Sequence, residues 1–285
     1  MSDFRKFILH TGTSLHETDD TFDFAMGDWN QDGRPDLLAI KKSNTGSKST
    51  EVHILSGASN FQNFILHTGT PLHETDDTFD FAMGDWNQDG RPDLVAIKKS
   101  NTGSKSTEVH ILSGASNFQN FILHTGTPLH ETDDTFDFVM GDWNQDGRPD
   151  LVAIKKSNTG SKSTEVHILS GASNFQDFIL HTGTSLQETD DTFDFVMGDW
   201  NQDGRPDLLA IKKSNTGSKS TEVLILSGAW NFQNVILPID TPLHETDATF
   251  DFVMGDWNQD GRLDLIAIKK NNTGSKSTEV HILSG

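Results

Sequence analysis

The sequence is one unit written five times. Residues 58–114 recur as 115–171, 172–228 and 229–285, and residues 1–57 are the same unit with an altered beginning, so five 57-residue copies account for all 285 residues. A period of this length belongs to chains whose copies bury their apolar faces against one another, as in solenoids, propellers and arrays. It overrides the two domains that length alone suggests. The chain is therefore read as a single domain, 1–285, of five repeats.

Each unit holds four strand candidates. In the first they are Lys6–Thr11, Phe22–Trp29, Asp36–Lys42 and Thr50–Ser56, each about the usual strand length. Turn signals separate them at Thr11-Gly12-Thr13, the Asp/Gly stretch 28–36, residues 43–47 and Ser56-Gly57. No segment keeps a helical apolar period over ten residues. Phe22, Phe24 and Met26 alternate with the small or polar Asp23, Ala25 and Gly27, which suits an innermost strand beside a crowded axis. Four strands in each of five units predict an all-β protein, a five-bladed β-propeller with four-stranded blades. A linear solenoid would need polar end caps, and neither end has one. The last copy stops after its Thr278–Leu283 strand, and the chain opens with the strand that follows it in every other copy. The N-terminal strand is thus expected to be the outermost strand of the last blade. It would close the ring and remove the exposed sheet ends of a linear array.

The stretch Asp28-Trp29-Asn30-Gln31-Asp32-Gly33-Arg34-Pro35-Asp36 carries the chemistry. Asp28, Asn30, Asp32 and Asp36 place side-chain oxygens at positions 1, 3, 5 and 9, Gly33 permits the sharp turn, and the carbonyl of Arg34 offers a further oxygen. Hard oxygen donors at this spacing suit Ca²⁺. The first part of an EF-hand loop is matched, but Ala39 stands where its closing Glu would be. Apolar runs on both sides make the context strand–loop–strand. The set repeats as Asp85, Asn87, Asp89, Arg91 and Asp93; as Asp142, Asn144, Asp146, Arg148 and Asp150; as Asp199, Asn201, Asp203, Arg205 and Asp207; and as Asp256, Asn258, Asp260, Arg262 and Asp264. A plain Asp/Asn/Gly turn would need only some of these residues.

Composition narrows the partners. With 42 Asp and Glu against 22 Lys and Arg, the formal charge is −20. That argues against nucleic acid, which leaves a basic footprint, and against anionic membrane surfaces. There is no cysteine, hence no disulfide framework or thiol chemistry. No stretch is long and apolar enough for a membrane span, and Met1–Lys6 does not read as a signal peptide.

The core Phe-x-Phe-x-x-Gly-Asp-Trp-Asn-x-Asp-Gly-x-x-Asp-Leu, present in the five units, resembles the FG-GAP/VCBS repeat. Such repeats form the blades of integrin-type propellers and of propeller lectins. The resemblance implies a propeller with Ca²⁺ in the Asp/Asn loops. It also implies carbohydrate binding, with cell-surface or free glycans as partners; self-association into a homo-oligomer stays open, as does action outside the cell against storage in the cytoplasm, since the absence of cysteine fits either. The chain departs from the larger lectins of this plan in having five units and no tyrosine.

Near-identical copies favour several equal shallow sites over one catalytic constellation of unlike groups, and equal sites around a ring suit multivalent binding. No catalysis is expected. The candidate sugar contacts lie in the blade-to-blade connection and the loop tryptophan: His16, Glu17 and Trp29; His73, Glu74 and Trp86; His130, Glu131 and Trp143; Glu188 and Trp200; His244, Glu245 and Trp257. His, Glu, Asp and Thr can hydrogen-bond sugar hydroxyls, and Trp can stack and donate. The other reading is an Asx turn capping the inner strand and a Trp that packs between blades. His53 and its equivalents read as packing or surface residues, and Lys41, Lys42 and Lys48 as a solvated hairpin. Alternatives to a lectin are an integrin-like adhesion ring, a scaffold without ligand, and a glycan-processing enzyme.

Overall fold

The computed structural model describes residues 3–285. They form twenty strands in five antiparallel four-stranded sheets. The first strand, β1 (Phe7–His16), pairs with the last, β20 (Ser277–Leu283). The other blades are built from consecutive strands: β2 (Phe22–Gly27), β3 (Asp36–Lys41), β4 (Ser49–Leu55) and β5 (Phe64–His73) in the first; β6 (Phe79–Gly84), β7 (Asp93–Lys98), β8 (Ser106–Leu112) and β9 (Phe121–His130) in the second. The third holds β10 (Phe136–Gly141), β11 (Asp150–Lys155), β12 (Ser163–Leu169) and β13 (Phe178–Gln187), and the fourth β14 (Phe193–Gly198), β15 (Asp207–Lys212), β16 (Ser220–Leu226) and β17 (Val235–His244). In the fifth, β18 (Phe250–Gly255) and β19 (Asp264–Lys269) lead to β20, and β1 completes the blade. The five first strands touch one another in turn around an axis. This is a five-bladed propeller closed by its N-terminal strand.

The core lies between blades. Phe24, Leu37, Ala39 and Leu55 of the first blade pack on Ile266, Ile268, Val280 and Ile282 of the fifth. Leu37 to Ile40 of β3 are fully buried on both faces, which is why this strand reads as an unbroken apolar run. Each of the leucines and the isoleucine contributes about 2 kcal/mol by leaving water. A blade standing alone would leave both faces exposed, so the ring stabilises each blade through its two neighbours.

The outer strands run further than the sequence suggests. Thr11-Gly12-Thr13, expected to turn, lies inside β1, where the pairing with β20 shifts between Gly12 and His16. A Cβ on Gly12 would stand 2.8 Å from the Ser277 hydroxyl; the glycine permits this close approach. Thr13 then accepts the N–H of Leu15 at 3.1 Å. Two residues of the expected connection, His16 and its neighbour Leu15, therefore sit at the end of a strand.

Candidate functional site

The Asp/Asn loop is tied from within. Asp28 accepts the backbone N–H of Asp32 at 3.0 Å and of Gly33 at 2.9 Å, Asn30 Oδ1 accepts Asp32 N–H at 2.9 Å, and Asp32 accepts Arg34 N–H at 3.0 Å. Gly33 has φ +90°, a left-handed conformation that glycine supplies. Asp36 is fully buried. Its Oδ2 accepts the N–H of Trp29 at 3.2 Å and Asn30 at 3.3 Å, and its Oδ1 accepts that of Gly57 at 2.9 Å. Burial pushes the Asp36 carboxyl up to about 6, and the charges of Asp32 and Asp28 add to this. Asp93, Asp150, Asp207 and Asp264 are raised to the same level, again by burial first. The donor set is all oxygen, with half-buried Asp28 and Asn30 and exposed Asp32 above the buried Asp36. That chemistry fits Ca²⁺.

Successive loops are joined to one another. Gln31 donates to the Gly90 carbonyl, Gln88 to Gly147, Gln145 to Gly204, Gln202 to Gly261, and Gln259 to Gly33. The loop arginines reach the other way, back to the preceding loop. Arg91 lies 4.9 Å over the Trp29 ring, Arg148 4.9 Å over Trp86, Arg205 4.7 Å over Trp143, and Arg34 4.7 Å over Trp257. Trp29, Trp86, Trp143 and Trp257 are each 8% exposed, and Trp200 is partly buried. Of the two readings open for this residue, the geometry is that of packing: the ring clamps one blade to the next under a guanidinium.

Most of the connection is also engaged. Asp76 accepts both the N–H and the hydroxyl of Thr78, an Asx turn at the start of β6, and the Thr78 hydroxyl holds its carboxyl below the usual range. The Thr75 hydroxyl meets that of Thr50 at 3.1 Å. Glu74 accepts the N–H of Thr45 at 2.7 Å and its hydroxyl at 3.0 Å through one oxygen, as Glu17 does from Thr273, Glu131 from Thr102, Glu188 from Thr159 and Glu245 from Thr216. His16, His73, His130 and His244 remain exposed at the strand ends.

What the connection borders is a crevice. Between the second and third blades, His130 and Glu131 face Phe136, Lys155, His167, Phe178 and His181 across a space of about 500 Å³. Between the third and fourth, Gln187 and Glu188 face Phe193, Lys212, Leu224 and Val235 across about 490 Å³. Phe64, Phe121 and Phe178, each at the start of an outer strand, are 43–45% exposed, and Phe7 is 39% exposed. Sequence reasoning passed over these phenylalanines; the signal was a large apolar residue on the solvent side of an edge strand. The structure also gathers what the sequence scatters. Gln187, Leu224 and Val235, which replace His, His and Phe of the other copies, border the same crevice.

Lys42 corrects the expectation of a solvated hairpin. It is 7% exposed and pairs with Asp23 at 3.1 Å and Asp77 at 3.6 Å. Lys99, Lys156, Lys213 and Lys270 pair likewise with Asp80, Asp137, Asp194 and Asp251. The five aspartates ring one mouth of the central channel. Burial pushes Asp251 up to about 7 and Asp80 to about 6 against the pull of their lysines. The unit-to-unit alternation had marked Asp23 only as polar. Its lysine is distant in sequence, and the pair forms only when β3 folds onto β2.

The FG-GAP-like repeat matches this sequence at residues 28–96, 85–153, 142–210 and 199–267. The chain belongs to the FG-GAP-like repeat family. Among proteins similar in sequence, the T-cell immunomodulatory protein homolog of Plasmodium yoelii yoelii is 25% identical over 273 residues, 85% of this chain and 37% of that protein. This chain thus spans little more than a third of that relative. A GH43_1 enzyme from Xanthomonas citri, solved in complex with xylose, superposes with a TM-score of 0.54 at 10% identity, covering 97% of this chain and 89% of that one. A lectin from Agrocybe aegerita that recognises non-reducing terminal N-acetylglucosamine gives a TM-score of 0.50 at 14% identity, covering 91% and 65%. At these identities the likeness is one of fold.

Proposed function

We propose that this FG-GAP-like propeller is a multivalent carbohydrate-binding protein without catalytic activity, with Ca²⁺ held in its blade loops. The crevices carry the reading. Each of the two described above sets an apolar wall beside hydrogen-bonding His, Gln, Glu and Lys groups, the pairing of surfaces that a sugar ring presents. Repetition around the ring lets weak sites add through effective concentration. That a lectin and a xylose-binding enzyme share the fold supports a glycan as the ligand class. In the loops, Asp28, Asn30, Asp32 and Asp36 with their counterparts would hold Ca²⁺, whose charge would offset that of Asp28 and Asp32 on Asp36. The crevice between the third and fourth blades, with Gln187, Leu224 and Val235, would be the weakest site.

A glycan array in Ca²⁺, with a chelated duplicate, tests this. Binding to one sugar class is expected, reduced several-fold in avidity by Phe121→Ala and Phe178→Ala together. No binding in either buffer would overturn the reading. Turnover of a bound glycan would replace it with an enzyme.

A further inference from the structure

Glu51 and His53 are two residues apart on β4 and so share one face of the sheet. His67 stands directly opposite His53 on β5. The Nε2 atoms of His53 and His67 are 3.8 and 3.7 Å from the same oxygen, Glu51 Oε2, too far for hydrogen bonds. The other oxygen of Glu51 is held by Ser47, through its N–H at 3.2 Å and its hydroxyl at 2.7 Å. One carboxylate oxygen is therefore anchored and the other aims at two imidazoles. The same triad forms as Glu108, His110 and His124, as Glu165, His167 and His181, and across the ring closure as Glu279, His281 and His10. The inner imidazoles His110, His167 and His281 are only 7–8% exposed. Their Nε2 atoms, and that of His53, are buried without a hydrogen-bond partner, an arrangement that proteins rarely leave unanswered.

We infer that each of these four triads binds one divalent transition-metal ion of the Zn²⁺ class through both imidazoles and the glutamate, with the remaining position open to the crevice. Imidazole and carboxylate together suit Zn²⁺, Ni²⁺ and Cu²⁺, whereas the all-oxygen loops suit Ca²⁺; the two sets of sites differ in chemistry and place. Ligands about 2.1 Å from a tetrahedral ion are about 3.4 Å apart. The 3.6–3.8 Å seen in the first two blades closes by shifts of a few tenths of an ångström of the glutamate oxygen toward the inner imidazole and of the exposed histidine toward both. The serine that fixes the second carboxylate oxygen is the outer support such a ligand needs.

The fourth blade supplies the contrast. Glu222 keeps its bonds from Ser218, yet Leu224 and Pro238, which pair across β16 and β17, stand where the two histidines would be. Both imidazoles are missing together, while the glutamate and serine remain as part of the hairpin. The number of sites is therefore four and not five. The inference does not depend on sugar binding.

The test is a Zn²⁺ titration by calorimetry on the full chain, stripped with chelator and returned to excess Ca²⁺ so that oxygen loops are filled. Co²⁺ absorption in the visible provides a second readout. Four equivalents are expected. His124→Ala, at an imidazole 61% exposed, is expected to bind three, and the exposed His73→Ala, outside the triads, four. Leu224→His with Pro238→His is expected to bind five. Circular dichroism checks that each variant is folded. No Zn²⁺ uptake at tens of micromolar, a parent stoichiometry other than four, or a stoichiometry unchanged by His124→Ala overturns the inference.

Discussion

The side-chain amide of Gln259 donates to the carbonyl of Gly33, linking the last loop to the first across 226 positions of sequence. The same bond joins each earlier loop to its successor, so the loops form an unbroken belt on one face of the ring. Gln259→Ala opens the belt at its one long-range link. An exposed neutral hydrogen bond contributes about 0.5–1.5 kcal/mol, and a loss in that range is expected in urea denaturation. Gln88→Ala should lose the same amount, because the bond is local in space in both cases.

Asp36 and Asp28 serve the same loop differently. Asp36→Ala leaves the buried N–H of Gly57 and the half-buried N–H of Asn30 without their acceptor, while the N–H of Trp29 keeps the Gly27 carbonyl. Each unsatisfied buried group costs about 1–3 kcal/mol, so a loss of about 3 kcal/mol is expected with or without Ca²⁺. Asp28→Ala, whose carboxylate bonds only to the exposed N–H groups of Asp32 and Gly33, should cost little in chelator and show its effect only when Ca²⁺ is present. Equal effects of both variants under both conditions would remove the distinction.

Calcium should act on stability by mass action. A site filled at 100 times its dissociation constant adds about 2.7 kcal/mol. Adding chelator should therefore lower the Tm by several degrees, and re-addition of Ca²⁺ should restore it in proportion to the logarithm of its concentration. A Tm indifferent to Ca²⁺ would show that the loops are closed by their own hydrogen bonds alone.

Two buried groups titrate in opposite senses, and single variants separate them. The folded Asp251 carboxyl, raised to about 7 from an ordinary 3.8, keeps a proton that the unfolded chain has released. Its contribution to stability falls as pH rises between about 4 and 7. The stability of Asp251→Asn relative to the parent should therefore climb over that window and level off above it. His110, lowered to about 4 from 6.5, stays neutral where the unfolded chain takes up a proton. Its contribution falls as pH drops from about 6.5 to 4. In chelator, His110→Leu, the residue that the fourth blade uses, should gain on the parent as pH is lowered. Urea midpoints measured from pH 4 to 8 check both signs.

The ring was legible because its cause is local and repeated. The alternation of Phe22, Phe24 and Met26 with small residues marks the axial strand, and the displaced strand at Lys6–Thr11 marks the closure. The Asp/Asn stretch was legible as a tight loop for the same reason, its nine residues being neighbours in sequence. Lys42 beside Asp23 was not, nor were His53 beside His67 and Phe178 at its crevice. These groups meet through strand register and blade packing, and a linear reading carries no register. The turn expected at Gly12 failed on a related point: glycine there answers to a serine on the neighbouring strand and not to its own chain direction.

The pairing of β1 with β20 has a last consequence. Phe4 N–H donates to the Ser284 carbonyl at 2.8 Å and Ser284 N–H to that of Lys6 at 3.0 Å, and buried Phe4 takes the place that Phe61, Phe118, Phe175 and Phe232 hold elsewhere. The seam is thus chemically a blade like the rest. A circular permutant with residues 3 and 285 joined and new ends opened at any other blade boundary would fold to the same circle, because the position of the cut carries no structural information.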